Sequence, residues 1–345
     1  MHMADALISP AVGGTMWAVT AALTAYSAKK LKESANERIA PLMGVLGAFI
    51  FAAQMINFTI PGTGSSGHLG GGMVLAILLG PYAAFLSMAS ILTVQALFFA
   101  DGGLLALGCN IFNMAFLSCF IAYPLIYKKI AGDGTSRNRI LPGAMAASII
   151  GLQLGAFCVV AETVFSGVSG VPFWTFVFLM QPIHLAIGIV EGLATAAMVS
   201  FIRTARPETF HERAIYAPQT ARISTRTVLA GFLAAAVITA AGLSWFASSN
   251  PDGLEWSISH ATGKQELIAP QVGLHAVFAR LQEKTALLPD YSFGGAEEKK
   301  KSGAAQEAWP AVNAGTSVSG LIGGAVTMLL AGVIGVVLRR FSGRA

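Results

Sequence analysis

Apolar stretches of roughly bilayer length, separated by short polar segments, run along most of this chain. A helix of about 20 apolar residues crosses the hydrocarbon core of a membrane. The stretches lie at 11–28, 40–56, 71–86, 88–100, 106–127, 140–162, 174–202, 227–247 and 317–338. This pattern predicts an all-α integral membrane protein with about nine transmembrane helices.

The two shortest stretches come from dividing a longer apolar run near Gly80-Pro81. Glycine commonly ends a helix, and proline commonly opens one. Charge supports the division, because residues 57–127 contain no Lys or Arg, whereas the flanks 29–38 and 128–139 are basic and look cytoplasmic. Between two cytoplasmic flanks the chain has to cross the membrane an even number of times. The division gives four predicted helices between these flanks.

The 22 Lys and Arg residues predict the orientation of the helices. Cytoplasmic loops of membrane proteins carry an excess of these residues. If the N-terminus lies outside, most of them fall in cytoplasmic segments, which are 29–38, 128–139, 203–226 and 339–344. The others lie in 248–316, a segment long enough to be translocated despite its charge. The N-terminus is therefore predicted outside and the C-terminus inside.

The helices fall into two modules. Residues 1–202 are predicted to form a seven-helix bundle. Residues 203–226, rich in Arg and Thr, are predicted to form a cytoplasmic linker. Residues 227–345 are predicted to form a two-helix hairpin around the extracytoplasmic segment 248–316.

Composition limits the classes of function. The chain is 54% hydrophobic and 11% charged, whereas soluble domains carry roughly 25% charged residues. The net charge of +5 marks membrane-flanking loops, so no nucleic-acid partner is expected. The sequence contains neither GxxxxGK[ST] nor HExxH, so neither P-loop ATP hydrolysis nor a metalloprotease site is predicted, and no catalytic residue is assigned.

The first two residues, Met1-His2, are a candidate metal site. The α-amine of Met1, the deprotonated amide nitrogen of His2 and its Nδ1 can close two fused chelate rings, leaving one coplanar position. Planar nitrogen donors suit Ni(II) or Cu(II), and less commonly Co(II). Met1 is expected to be retained, because His2 is not small and the opening segment lacks the basic residues of a signal peptide. Alternatively, His2 is incidental.

His68 is the best donor for the fourth planar position, because its loop lies on the same side as the N-terminus in this topology. Glycines surround it and would let the loop fold down into the mouth of the bundle. The alternative is a flexible loop with an incidental histidine. Asp5 and Asn57 are candidates for orienting the imidazoles, since a metal-bound histidine usually donates its second nitrogen to an acceptor.

Other histidines are less suited to this site. His184 lies on one helical face with Glu191, and the pair could relay protons or hold two helices together; we favour the structural role. His260 and His275 lie in the outside segment and are expected to be solvated.

Gly44, Ala48 and Ala52 form a stripe of small residues at four-residue spacing in the second predicted helix. Such a stripe lets another helix approach closely. The sequence leaves open whether that helix belongs to this chain or to another subunit.

Four motifs together resemble a known family. They are residues 1–10 (MHMADALISP), 67–69 (GHL) with the surrounding glycines, 250–257 (NPDGLEWS) and 289–293 (PDYSF). The chain resembles the substrate-capture (S) component of nickel/cobalt energy-coupling-factor (ECF) transporters, of the ABC class, fused to their small two-helix companion (N) component. The resemblance covers nearly the whole chain.

The resemblance implies a transporter subunit of the bacterial cytoplasmic (inner) membrane, and no enzyme. It implies one divalent ion, Ni²⁺ or Co²⁺, held by the α-amine of Met1, the amide and imidazole of His2, and the His68 imidazole, with no cofactor besides the transported ion. The ATP-driven step is implied to belong to a transmembrane coupling (T) protein and two ATPase (A) subunits. The small-residue stripe matches the family's contact with the coupling protein.

Fusion of the two modules favours nickel, as do four planar nitrogens around a low-spin d⁸ ion. The alternative function is a stand-alone secondary metal transporter, with His184 and Glu191 as an intramembrane proton relay.

Overall fold

The computed structural model is mostly helical. It describes residues 2–34, 39–132, 137–205, 224–264, 267–293 and 309–340. Met1, most of the predicted linker 203–226 and parts of the segment 248–316 lie outside the described residues.

Helices occur at each predicted apolar stretch. The first module contains α1 (Pro10–Ser34), α2 (Ile39–Gln54), α3 (Gly72–Leu79), α4 (Pro81–Phe99), α5 (Leu107–Ala131), α6 (Arg137–Ser166) and α7 (Phe173–Ala205). The second contains α8 (Thr225–Ala241), α9 (Gly253–Thr262), α10 (Gly273–Thr285) and α11 (Ala314–Arg340). A short antiparallel hairpin, β1 (Phe58–Ile60) and β2 (Ser65–Gly67), follows α2.

Five of the described helices, α4, α5, α6, α7 and α11, are long and apolar enough to cross a membrane. Two shorter apolar helices lie at Ile39–Gln54 and Arg226–Ala241. These helices identify a multi-pass membrane protein, as the sequence predicted.

The helix break predicted near Gly80-Pro81 is present. Gly80 has φ 78°, in the left-handed region, and Pro81 opens α4. However, α3 has only eight residues. At 1.5 Å per residue it spans about 12 Å, well short of the hydrocarbon core of about 30 Å. The predicted span 71–86 is therefore wrong as a membrane-crossing helix.

Protein groups hold the loop before α3 inside the bundle. The backbone N–H groups of Gly70 and Gly71 donate to the two carboxylate oxygens of Glu191, at 2.5 and 3.1 Å. Glu191 lies near the middle of α7, and Gln54 donates to the carbonyl of Gly70 at 2.8 Å. Non-helical backbone survives at membrane depth only when protein satisfies its polar groups, and a carboxylate also complements a helix N-terminus.

Gly71 is needed at this point for two reasons. Its φ of 76° lies in the left-handed region, and a Cβ there would lie 2.5 Å from Cγ2 of Ile50. The expectation that glycines let this loop fold into the bundle is confirmed.

Helices of the second module pack against the stripe of small residues on α2. A Cβ at Gly44 would lie 2.8 Å from the carbonyl oxygen of Met328 on α11, and one at Gly324 would lie 3.9 Å from the Cβ of Ala48. Ala52 is buried in a small apolar cluster with α8. The helix that uses the stripe therefore belongs to this chain, which corrects the expectation that Gly44, Ala48 and Ala52 contact a coupling subunit.

Hydrogen bonds also join the second module to the hairpin beside His68. The N–H of Ser66 donates to the carbonyl of Pro251 at 2.8 Å, and Ser66 pairs with Asp252 in a parallel bridge. Ser248 N–H donates to the Asn57 carbonyl at 2.7 Å. The motif at 250–257 therefore lies against the strand that leads to His68.

Candidate metal site

The N-terminal segment is fixed to the start of α5. The N–H of Met3 donates to Asn110 Oδ1 at 2.8 Å, and Asn110 Nδ2 donates back to the Met3 carbonyl at 3.2 Å. Gly103 N–H donates to the same carbonyl at 2.9 Å. Met3 is fully buried. These bonds place the preceding residue, His2, at a defined position.

Asp5 secures the next turn of this segment. Its Oδ1 accepts the N–H of Ala106 at 2.9 Å. Burial raises the pKa of Asp5, and backbone hydrogen bonds from Ala106 and Leu105 partly oppose that effect. The structure gives Asp5 a role in docking the N-terminus rather than a bond to an imidazole.

His68 presents a lone pair at the end of the hairpin loop. Its Nδ1–H donates to the carbonyl of Leu69 at 3.1 Å, which leaves Nε2 as the unprotonated nitrogen. Burial lowers the pKa of His68 to about 3, so the ring is neutral at physiological pH. Nε2 is buried and has no hydrogen-bond partner among the described residues.

The ring of His2 lies next to that of His68. Their centroids are 5.1 Å apart and their planes differ by 10°. Two imidazoles bound to one ion through bonds of about 2 Å have centroids about 4 to 6 Å apart. Nε2 of His2 is also buried without a hydrogen-bond partner in the described part of the chain. The two imidazole rings predicted to bind the ion therefore lie side by side, with Nδ1 of His2, its predicted donor atom, turned towards Asp101.

Asp101 is the acceptor bonded to His2, at 3.1 Å from Asp101 Oδ1 to His2 Nδ1. Burial by itself raises the pKa of Asp101, but His2 and the hydroxyl of Tyr291 outweigh burial, so the pKa lies below its usual value. Neither Asp5 nor Asn57, the two residues expected from sequence, makes this contact; the backbone carbonyl of Asn57 accepts the N–H of Ser248.

Side chains alone do not complete a metal site in the described residues, which contain no group of three or more His, Cys, Asp and Glu able to hold an ion. The predicted donor set does not require such a group, because two of its nitrogens come from the backbone. One of those two, the α-amine of Met1, lies outside the described residues.

The outside segment of the second module covers this region. His275 Nε2–H donates to the carbonyl of Ile8 at 2.8 Å, and Gln282 donates to the carbonyls of Ala96 and Gly102 at 2.9 and 2.7 Å. His275 is only 4% exposed, so the expectation that it is solvated is wrong. His260 is exposed, as expected.

His184 and Glu191 bond to separate partners. His184 Nδ1 lies 2.8 Å from the carbonyl of Met180, and both oxygens of Glu191 accept N–H groups from the start of α3. These contacts give each residue a structural role. They supply no hydrogen bond between the two side chains of the postulated relay.

Sequence reasoning missed Asp101, Asn110 and Tyr291 as site residues. Asp101 lies between the predicted helices 88–100 and 106–127, where no motif marks it, and Asn110 lies within a predicted apolar helix. A signal was available for one of them, because Tyr291 lies in a motif that matched the companion component. Asp101 and Asn110 bond to His2 and Met3, which are distant in sequence, and Tyr291 in turn bonds to Asp101.

The fold and the site define a multi-pass helical membrane protein that brings its N-terminal histidine and a loop histidine together at one end of a bundle. The family described as cobalt uptake substrate-specific transmembrane region matches residues 2–209, and the PDGLE domain matches 226–340. The chain belongs to this cobalt uptake family and carries a PDGLE domain, which makes it a metal-transport protein.

Two curated relatives show the range of named substrates. The fused nickel transport protein NikMN of Rhodobacter capsulatus is 32% identical over 317 residues, covering 85% of this chain and 88% of that protein. The cobalt transport protein CbiM of Geobacter sulfurreducens is 27% identical over 217 residues, covering 60% and 61%.

A solved crystal structure described as a transition metal transporter has a similar fold. It is 29% identical in sequence, has a TM-score of 0.54, and is matched over all of its length and 63% of this chain. The matched share corresponds in size to the first module.

Proposed function

We propose that this chain captures Ni²⁺, in preference to Co²⁺, as the substrate-specific membrane subunit of an ATP-driven ECF importer. Four nitrogens hold the ion: the α-amine of Met1, the amide and imidazole nitrogens of His2, and Nε2 of His68. The observation that carries the proposal is the buried Nε2 of His68, which has no hydrogen-bond partner among the described residues and lies beside the ring of His2.

The proposed chelate uses Nδ1 of His2, the atom that faces Asp101 in the structure. A half-turn of the ring about Cβ–Cγ exchanges Nδ1 with Cδ2 and moves Nε2 towards Asp101. When the ring proton also moves from Nδ1 to Nε2 through solvent, Nδ1 becomes free for the metal, while Asp101 accepts a hydrogen bond from Nε2–H. The carboxylate thus orients the imidazole in either ring position.

The preference for nickel rests on donor chemistry and on the second module. Four nitrogens in a plane suit low-spin Ni(II). The relative matched over 85% of this chain is a fused protein named for nickel, whereas the relative matched over 60% of this chain is named for cobalt.

In the proposed arrangement the chain crosses the bacterial cytoplasmic membrane nine times, with the N-terminus and site outside and the C-terminus inside. The distribution of Lys and Arg supports this orientation. The crossing that contains α3 consists of a buried loop followed by a short helix.

Energy for import comes from partners in this proposal, because the sequence lacks a P-loop. We assign ATP hydrolysis to two ATPase subunits and force transmission to a transmembrane coupling protein. The stripe of Gly44, Ala48 and Ala52 is covered by α8 and α11, so the coupling protein is assigned to the uncovered faces of the bundle.

Metal analysis of the full chain tests capture. The protein carries its natural N-terminus and is purified from cells supplied with Ni, Co, Cu and Zn. We expect about one Ni²⁺ per chain, the capacity of one planar four-nitrogen site. One Co²⁺ instead retains the capture mechanism and corrects the substrate, and absence of bound metal with every supplement contradicts the proposal.

Uptake into liposomes tests the coupling to ATP. We expect the chain alone to import no metal. Import should occur only when the coupling protein and the ATPase subunits are also present. Uptake by the chain alone in response to a proton gradient would instead support the relay of His184 and Glu191.

Asn110→Ala is expected to weaken Ni²⁺ binding by about 10- to 100-fold, the range typical of lost outer-shell partners. The substitution removes both side-chain bonds to the backbone of Met3, so the N-terminal donors lose their fixed position. Titration calorimetry provides the dissociation constant, with the exposed Asn138→Ala as control. Equal affinity in the two variants contradicts the positioning role.

A further inference from the structure

One residue of the second module contacts the metal site through a carboxylate. The hydroxyl of Tyr291 donates to Asp101 Oδ2 at 2.6 Å. Asp101 Oδ1 lies 3.1 Å from His2 Nδ1. Each oxygen of a single half-buried carboxylate therefore bonds to a different module of the protein.

The chain holds Tyr291 in place at a conformational cost. Asp290 and Tyr291 have φ values of 51° and 58°, in the left-handed region that residues with a side chain rarely adopt. Such backbone persists where surrounding contacts hold it, and it is concentrated at functional sites. Here the unfavourable backbone directs the phenol towards Asp101.

Packing against the end of α4 supplies those contacts. The ring of Tyr291 stacks on Phe99, with centroids 4.9 Å apart and planes differing by 14°. The N–H of Leu288 donates to the carbonyl of Phe98 at 3.2 Å. The phenol is thus fixed by its ring as well as by its hydroxyl, so removal of the hydroxyl alone leaves the ring contact intact.

We propose that Tyr291 is a positioning residue for metal capture: it fixes Asp101, which in turn orients the imidazole of His2. The second module thereby sets how firmly the first module retains its ion. The inference rests on the proposed function, since it assigns a consequence for Ni²⁺ affinity.

The physical basis is the restriction of ligand motion. A carboxylate with one oxygen held by a phenol has fewer orientations in which to meet the imidazole, and a fixed acceptor also increases the donor strength of the ring nitrogen bound to metal. Loss of the phenol hydroxyl frees Asp101 to rotate. Dissociation of the ion, which requires movement of His2, then becomes faster.

Tyr291→Phe tests the proposal in the full chain with its natural N-terminus. Loaded Ni²⁺ is challenged with excess chelator, and we expect dissociation to be about 10-fold faster, the lower end of effects from outer-shell partners. The d–d absorption of planar Ni(II) should persist because the four donors are unchanged. Ser292→Ala is the matched control, since among the described residues that hydroxyl donates to the carbonyl of Pro289 within the same turn.

A double-mutant cycle separates positioning from loosening of the outside segment. If Tyr291 acts through Asp101, Tyr291→Phe has no further effect on dissociation in an Asp101→Asn background. Gln282→Ala also weakens the contact of α10 with the first module, since its side chain donates to the backbone carbonyls of Ala96 and Gly102 rather than to the carboxylate of Asp101. Its effect should therefore add to that of Asp101→Asn.

The outcomes distinguish this inference from the proposed function. Failure of the unsubstituted chain to bind Ni²⁺ contradicts the function. Binding that depends on His2 but is unchanged by Tyr291→Phe contradicts the inference alone. Additive effects of Tyr291→Phe and Asp101→Asn also overturn it, since they show that Tyr291 acts by another route.

Discussion

Replacing either His2 or His68 with alanine is expected to abolish tight Ni²⁺ binding. Each imidazole is a direct donor in the proposed square of nitrogens, so its loss should exceed the roughly 10- to 100-fold effect of losing an outer-shell partner. The remaining donors do not close the plane, and the vacated position is left to water.

Titration calorimetry on the full chain measures this loss. His260→Ala is the matched control, because His260 lies in the outside segment, is exposed and bonds to the carbonyl of Trp256. It should bind Ni²⁺ like the unsubstituted protein. Retention of tight binding in both His2→Ala and His68→Ala would remove the basis of the site assignment.

Thermal unfolding of the same variants shows whether the effect is local. The bundle core contains many buried apolar side chains from several helices, so truncation of one imidazole at its edge should leave the transition almost unchanged. A large fall in the unfolding temperature of His68→Ala would assign this residue a role in folding. Its loss of Ni²⁺ binding would then no longer show that His68 is a metal ligand.

The helices were predictable because apolar runs and their interruptions are local properties. The division at Gly80-Pro81 was readable for the same reason, since it needs only a residue with φ above zero followed by one that can open a helix. The depth of the loop at Gly70 was not readable, because it depends on a carboxylate more than a hundred residues away, Glu191.

The metal donors were easier to predict from the sequence than the residues that hold those donors in place. Met1 and His2 form a motif by adjacency, and topology places His68 on the same side. Asp101, Asn110 and Tyr291 act through contacts with distant segments, which one sequence does not specify. Asp5 was a plausible orienting carboxylate by proximity, but the backbone of Ala106 takes its oxygen instead.

The stripe of small residues shows a different limit. Spacing alone showed that α2 could receive another helix closely, and a helix does lie there. Spacing contains no information on which helix it is, since glycine and alanine offer space without a distinctive partner. The structure assigns that space to α11, and this makes the second module part of the same packed body as the first.

Adding one residue before Met1 is expected to eliminate tight Ni²⁺ binding while every described side chain stays unchanged. The extension converts the α-amine into an amide and moves the new amine by about one residue, 3.8 Å between Cα atoms. The bonds of Met3 to Asn110 and Gly103 fix the chain just beyond His2, so the segment cannot slide back to restore the donor.

The same residue added after Ala345 is the control, and it should leave binding intact. Both extended proteins are loaded with Ni²⁺ and compared by metal content and by the d–d absorption of planar Ni(II). Full binding by the N-terminally extended protein would exclude the α-amine as a donor. Nε2 of His2 and Nε2 of His68, which have no hydrogen-bond partner among the described residues, would then be the donors to examine, because their rings lie side by side without help from the α-amine.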